Sequence, residues 1–161
     1  MTGVDAWRAP IETDQRRPWV MRVCVDDNDA QMPARVHLGD AGYDLYTSTR
    51  TIIPAGQFRD VPCGIRIQLP PHHWGLIKGR SSTLRRRGLL VNEAVIDNGY
   101  IGQIYVGCWN LGNKTEYVEV GDRVGQLILL PIVAAPLIGV DSDDLESPDG
   151  RGENGFGSSG H

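Results

Sequence analysis

The chain has 161 residues, with 16 lysines and arginines against 20 aspartates and glutamates and a formal net charge of −4. That length suits one domain around a single core, and the acid excess leaves no overall basic footprint for a nucleic-acid backbone. The odd set Cys24, Cys63 and Cys108 has no C-x-x-C spacing, so neither a disulfide framework nor a zinc site is indicated.

Residues 1–18 show no hydrophobic periodicity and read as an N-terminal extension. Its polar stretch from Thr2 to Arg17 lacks the apolar core of an export signal, and no later run reaches the ~18 apolar residues of a spanning helix. A cytoplasmic protein with no membrane partner is expected. Over residues 19–140 the pattern changes to short runs rich in Val, Ile, Leu and Tyr, punctuated by Pro, Gly, Asn and Asp. The runs 20–25, 43–46, 51–53, 64–69, 74–78, 103–109, 117–120, 124–131 and 136–140 are predicted strands. Their spacing, about one strand every ten residues, predicts an all-β sandwich or barrel. One short helix is predicted over 82–87, capped by a serine pair and ended by Gly88. Asn98-Gly99 predicts a type I′ hairpin turn. Residues 141–161 read as an acidic tether followed by a glycine-rich C-terminal lid.

Several segments carry candidate chemistry. Asp44 sits in the strand-like run AGYDLY, where a carboxylate needs a partner or an ion; taken alone it reads as a satisfied structural aspartate. In Gly79-Arg80-Ser81-Ser82 a strand meets a helix start, so N–H groups, hydroxyls and a guanidinium can converge on a phosphate. A plain serine cap explains the serines but leaves Arg80 without a role. Asp97 and Tyr100 sit at the tip of the expected hairpin. There a carboxylate can deprotonate a water and a ring can pack on a sugar, or both can merely stabilise the turn. Gln126 interrupts an aliphatic strand and needs partners, either a ligand oxygen or a cross-strand group. Arg85-Arg86-Arg87 reads as a solvated face or a polyanion contact. His72-His73 reads as a turn, since adjacent side chains on an extended chain point apart. The terminal run RGENGFGSSG combines a guanidinium, an aromatic ring and hydroxyls on a flexible backbone, which suits either a disordered end or a nucleotide.

In order, AGYDLY, GRSS, AVIDNGYIGQI, GDRVGQLI and RGENGFGSSG resemble the successive motifs of the trimeric deoxyuridine triphosphatase (dUTPase) family, over roughly residues 20–160. The resemblance implies a jelly-roll-like β-barrel assembled as a homotrimer, with active sites shared between subunits and the C-terminal motif supplied by a neighbouring chain. It implies hydrolysis of dUTP to dUMP and pyrophosphate, limiting uracil in DNA and supplying dUMP for thymidylate synthesis. Asp97 is then the general base. Tyr100 packs on the deoxyribose, Val95 and Ile96 read uracil through the backbone, and Asn92 adds a side-chain amide. Arg80, Ser81, Ser82 and Gln126 hold phosphates. Asp44 orients waters of a Mg²⁺ ion carried by the triphosphate. Arg151 clamps the terminal phosphates, Phe156 stacks on the base, and Gly157, Ser158 and Ser159 close over the phosphate chain. The chain has Ala94 where the family usually has glycine. Two other readings remain: a dCTP deaminase-like enzyme, whose required glutamate corresponds to Gly107 here, and a dUTPase-fold regulatory interaction protein.

Overall fold

The computed structural model describes residues 20–148, 150 and 152. The N-terminal extension and the lid residues Arg151, Phe156, Gly157, Ser158 and Ser159 lie outside them. In chain order the elements are β1 (Arg22–Val25), β2 (Gly42–Tyr46), β3 (Thr51–Ile53), β4 (Phe58–Gln68), β5 (His73–Lys78), α1 (Ser81–Arg87), β6 (Leu89–Val91), β7 (Ala94–Ile96), β8 (Gln103–Asn110), β9 (Glu116–Val118) and β10 (Arg123–Pro131). A 3₁₀ turn, Ser142–Asp144, follows in the acidic tether.

The strands form a four-stranded sheet β1-β4-β8-β6, a second four-stranded sheet β2-β10-β5-β7, and a two-stranded sheet β3-β9. The all-β expectation therefore holds, but no closed barrel forms among the described residues. Alternation on β4 and β8 explains the core between the sheets. Val61, Ile65, Ile67, Ile104 and Val106 are each no more than 1% exposed, while Arg66, Tyr105 and Trp109 on the same strands face outward. From β10, Val124 and Leu127 close the core from the other side. No helix among the described residues is long and apolar enough to cross a membrane.

Four local expectations are corrected. Strand β4 begins at Phe58, well before residue 64, because the register shift between Pro62 and Arg66 forms a bulge that hides the alternation; Gly64 takes φ 64° inside it. Residues 136–140 form no strand. They offer a largely exposed chain that finds no sheet edge, with Leu137 at 98% and Ile138 at 80% exposure. The serine cap is absent: Arg80 occupies the N-cap position in an extended conformation with no side-chain cap, and Ser81 and Ser82 begin the helix itself. Its other end is as expected, with Gly88 at φ 65° donating to the carbonyl of Leu84. Finally, Asn98 and Gly99 are not among the residues with positive φ, so the turn is not type I′. The strands around it also part company, β7 pairing with β5 and β8 with β4 and β6. The turn thus joins two sheets.

The cysteines divide by burial. Cys24 is exposed, whereas Cys63 and Cys108 are buried and free. Burial, reinforced by the neighbouring Cys108, pushes the Cys63 thiol up to about 12. Burial does the same for Cys108, opposed in part by the Arg87 guanidinium and reinforced to a lesser extent by the Asp60 carboxylate. Unfolding returns both to the ordinary value near 9.0, so this contribution to stability is whole below that pH and is lost between 9.0 and about 12. Native protein treated with iodoacetamide at pH 8 is accordingly expected to take up label at Cys24 only, read by intact mass, and at all three thiols in urea. Rapid native labelling of Cys63 or Cys108 would contradict the packing.

Candidate active site

A cleft of about 290 Å³ lies where β7 and the following turn meet the outward-facing residues of β8. It brings together Asn92, Val95, Ile96, Asp97 and Tyr100, all singled out in the sequence. The turn is held by side chains that the sequence reading did not assign. Asn98 Nδ2 donates to the carbonyls of Pro70 and His73 at 2.7 and 2.8 Å, tying the turn to the start of β5. The backbone N–H of Tyr100 closes it onto the Asp97 carbonyl at 3.0 Å. Asp97 is exposed, and its carboxylate takes no hydrogen bond or ion pair among the described residues. It is free to accept a proton from a water in the cleft.

Tyr100 is fixed by a bond from its hydroxyl to the Gln103 carbonyl at 2.9 Å. Its ring lies over Gly102, where a Cβ would fall 2.4 Å from the hydroxyl oxygen, so only glycine leaves room for this pose. Asn92 also lines the cleft, and its backbone N–H donates to the Gly107 carbonyl at 2.8 Å.

The sequence reading missed the opposite wall. Asp60, Gln103, Tyr105 and Gly107 also line the cleft. Asp60 pairs with Gly107 across β4 and β8, in the part of β4 concealed by the bulge. Gly107 is obligatory in this packing, since a Cβ would lie 2.7 Å from Cζ of Phe58 and 2.9 Å from Cε2. Tyr105 donates its hydroxyl to Gln103 Oε1 at 2.6 Å. Period-2 alternation along β8 was the available signal, because it puts residues 103, 105 and 107 on one face.

A second cluster lies beyond the end of β5. Ile77 lines the cleft, and the chain then runs through Lys78 and Gly79 to Arg80. Arg80 Nε donates to Asp44 Oδ1 at 2.7 Å, and Arg123 Nη1 donates to Asp44 Oδ2 at 3.2 Å. The Asp44 side chain is 13% exposed, so these contacts answer the question its burial raised. Gln126 is opposite both Asp44 and Lys78, and its Nε2 donates to the Gly79 carbonyl at 3.0 Å. Its second amide proton remains available to a ligand. Gly42 makes space for that amide, since a Cβ there would sit 2.5 Å from Gln126 Oε1. Ser81 is exposed and Ser82 half-buried at the helix start. Of the arginine run, Arg87 is structural, donating to Glu116, to Asp122 and to the Tyr117 carbonyl, while Arg85 and Arg86 face solvent.

Among the described residues no three His, Cys, Asp or Glu side chains converge as a metal cage. Asp44 nevertheless suits an outer contact to a hydrated cation, because each carboxylate oxygen keeps a lone pair beyond its guanidinium bond.

A family model described as dUTPase matches residues 28–160. The chain is 34% identical over 140 residues to the deoxyuridine 5'-triphosphate nucleotidohydrolase of Debaryomyces hansenii, covering 87% of each. It is 36% identical over 121 residues to the Pol polyprotein of equine infectious anemia virus (strain Wyoming); the match takes in 75% of this chain but spans only 10% of the polyprotein. Among solved structures, a mutant dUTPase of Staphylococcus bacteriophage 80alpha with dUpNHpp superposes with a TM-score of 0.81 at 25% identity, covering 88% of this chain and 99% of that one.

Proposed function

The chain belongs to the dUTPase family, and from that premise we propose that it hydrolyses dUTP to dUMP and pyrophosphate. The observation that carries the reading is the shared cleft, in which Asp97, Tyr100 and the β7 backbone face one space of nucleoside dimensions. Asp97 takes a proton from a water that attacks the α-phosphorus in line, and pyrophosphate leaves. Tyr100, pinned over Gly102, closes the sugar side against a 2′-hydroxyl. The backbone of Val95 and Ile96 reads the uracil edge, with Asn92 beside it. Arg80, Ser81, Ser82 and the free amide proton of Gln126 hold the phosphates, and Arg151, Phe156, Gly157, Ser158 and Ser159 complete the enclosure from the C-terminal segment. Asp44 would help hold a hydrated magnesium ion carried by the triphosphate, which would supply charge neutralisation when bound.

A homotrimer with shared sites is part of the proposal. Two features support it: the outward face of the first sheet carries Leu90, Tyr105 and Trp109, each more than 40% exposed, and the segment after β10 leaves Val133 at 88% exposure. A cytoplasmic setting is supported by three free thiols. The deaminase reading is disfavoured because the position it needs as glutamate is Gly107, where any side chain would have to displace the Phe58 ring.

Incubation with dUTP, dCTP, dTTP and UTP in the presence of Mg²⁺ tests the proposal, with pyrophosphate and ammonia as readouts. Pyrophosphate from dUTP alone is expected. Ammonia from dCTP would replace the reading with the deaminase, and no turnover of any nucleotide would favour the interaction protein.

A further inference from the structure

Arg80 holds Asp44 through Nε alone, so its four terminal N–H protons are left for a phosphate, and drawing the guanidinium towards that phosphate loads the one bond it makes to Asp44. In the structure that contact is a 2.7 Å bond to a carboxylate only 13% exposed. One guanidinium shared between a largely buried carboxylate and an arriving polyanion leaves the carboxylate under-compensated unless another cation stands beside it. Arg123 is that cation. It bonds the other oxygen of the same carboxylate at 3.2 Å and is itself 44% exposed.

The backbone places it there by an irregularity. Along β10 and β2, Gln126 pairs with Asp44 and Gly125 with Leu45, but the next partner of Tyr46 is Arg123, because the register shifts between Arg123 and Gly125. Side chains of paired residues share a face, and residues 44 and 46 lie on the same face of β2. The bulge therefore puts Arg123 beside Asp44; without it Arg123 would pair one residue further along and point to the opposite face. Val124, the extra residue, is absorbed into the core at 1% exposure.

We infer that Arg123 is a positioning residue: it stands on Asp44 as a second counter-ion, so that the Arg80 guanidinium can give its terminal N–H groups to the substrate phosphates without leaving the buried carboxylate under-compensated. The inference rests on the phosphate role proposed for Arg80. It predicts a penalty in binding rather than in the chemical step.

The test compares wild type with Arg123→Met, Arg123→Lys, Asp44→Asn and the double variant Asp44→Asn/Arg123→Met. KM and kcat for dUTP are measured, and so is the affinity for inorganic tripolyphosphate by calorimetry. Arg123→Met is expected to raise KM and weaken tripolyphosphate by about ten- to hundredfold, with kcat within about threefold of wild type. Arg123→Lys keeps the charge and should recover most of the loss. In the Asp44→Asn background the same arginine change should do almost nothing, because no buried anion needs holding. Thermal midpoints identify any variant that is simply unfolded, and Arg123→Lys then carries the comparison. Unchanged KM and tripolyphosphate affinity in Arg123→Met, or the full penalty persisting in the double variant, would overturn the inference. Wild type that binds tripolyphosphate but releases no pyrophosphate from dUTP would instead refute the proposed activity and leave the counter-ion role of Arg123 to be decided by the tripolyphosphate affinities of the variants.

Discussion

Asp97→Asn is expected to abolish release of pyrophosphate from dUTP while nucleotide still binds. The amide has the size and shape of the carboxylate but cannot accept a proton from water, so the cleft keeps its form and loses its base. A positioned base is worth about 10²- to 10⁴-fold in rate, or roughly 3 to 5 kcal/mol at 1.36 kcal/mol per factor of ten. Stability should not change, because the turn is held by Asn98 and by the Tyr100 N–H rather than by the Asp97 side chain. The measurements are steady-state turnover of dUTP and calorimetric binding of dUpNHpp. Turnover within a few-fold of wild type would remove Asp97 from the mechanism.

Asn110→Ala should be the most damaging of the small substitutions to the fold. Asn110 ends β8 with 1% of its surface exposed. Its Nδ2 donates to the carbonyls of Ile53 and Lys114, each at 2.8 Å, and its Oδ1 accepts from the Gly112 N–H at 2.9 Å. One side chain thus joins β8 to the end of β3 and shapes the loop that leads to β9. Alanine would strip the buried Ile53 carbonyl of this donor, at about 1–3 kcal/mol, and release the Lys114 carbonyl and the Gly112 N–H, which belong to exposed residues, at less. A total loss of about 2–4 kcal/mol is expected, against an ordinary domain stability of about 5–15 kcal/mol. Urea unfolding gives the readout as a lower midpoint at unchanged slope. Asn110→Asp should be no better, since it keeps the acceptor and loses both donors. A midpoint within experimental error of wild type would show that the loop rearranges at no cost.

Much of the molecule was legible in residue order. Thr51–Ile53 is a strand as expected, and the edges of β2, β5, β8 and β10 fall within a residue or two of the predicted runs. Gly88 ends the helix as its position implied. What misled was local chemistry whose partner lies elsewhere in the chain. Asn98 beside Gly99 has the form of a hairpin turn, yet its amide is committed to Pro70 and His73, and the strands on either side belong to different sheets. The serines before the helix have the form of a cap, yet Arg80 takes that position with its guanidinium on Asp44.

The sequence by itself determined the strand-rich class, and its motifs nominated Asp97, Tyr100 and a phosphate-binding set through their resemblance to the dUTPase family, because a strand pattern and a motif both depend on residue type and short-range spacing. Only the tertiary structure decided that Asp60 and Gly107 form a wall of the cleft, and that Asp44 is shared by Arg80 and Arg123. These relations depend on which strands pair and in what register. A one-residue bulge moves a side chain to the other face of a sheet, and no periodicity in the chain records where that shift occurs.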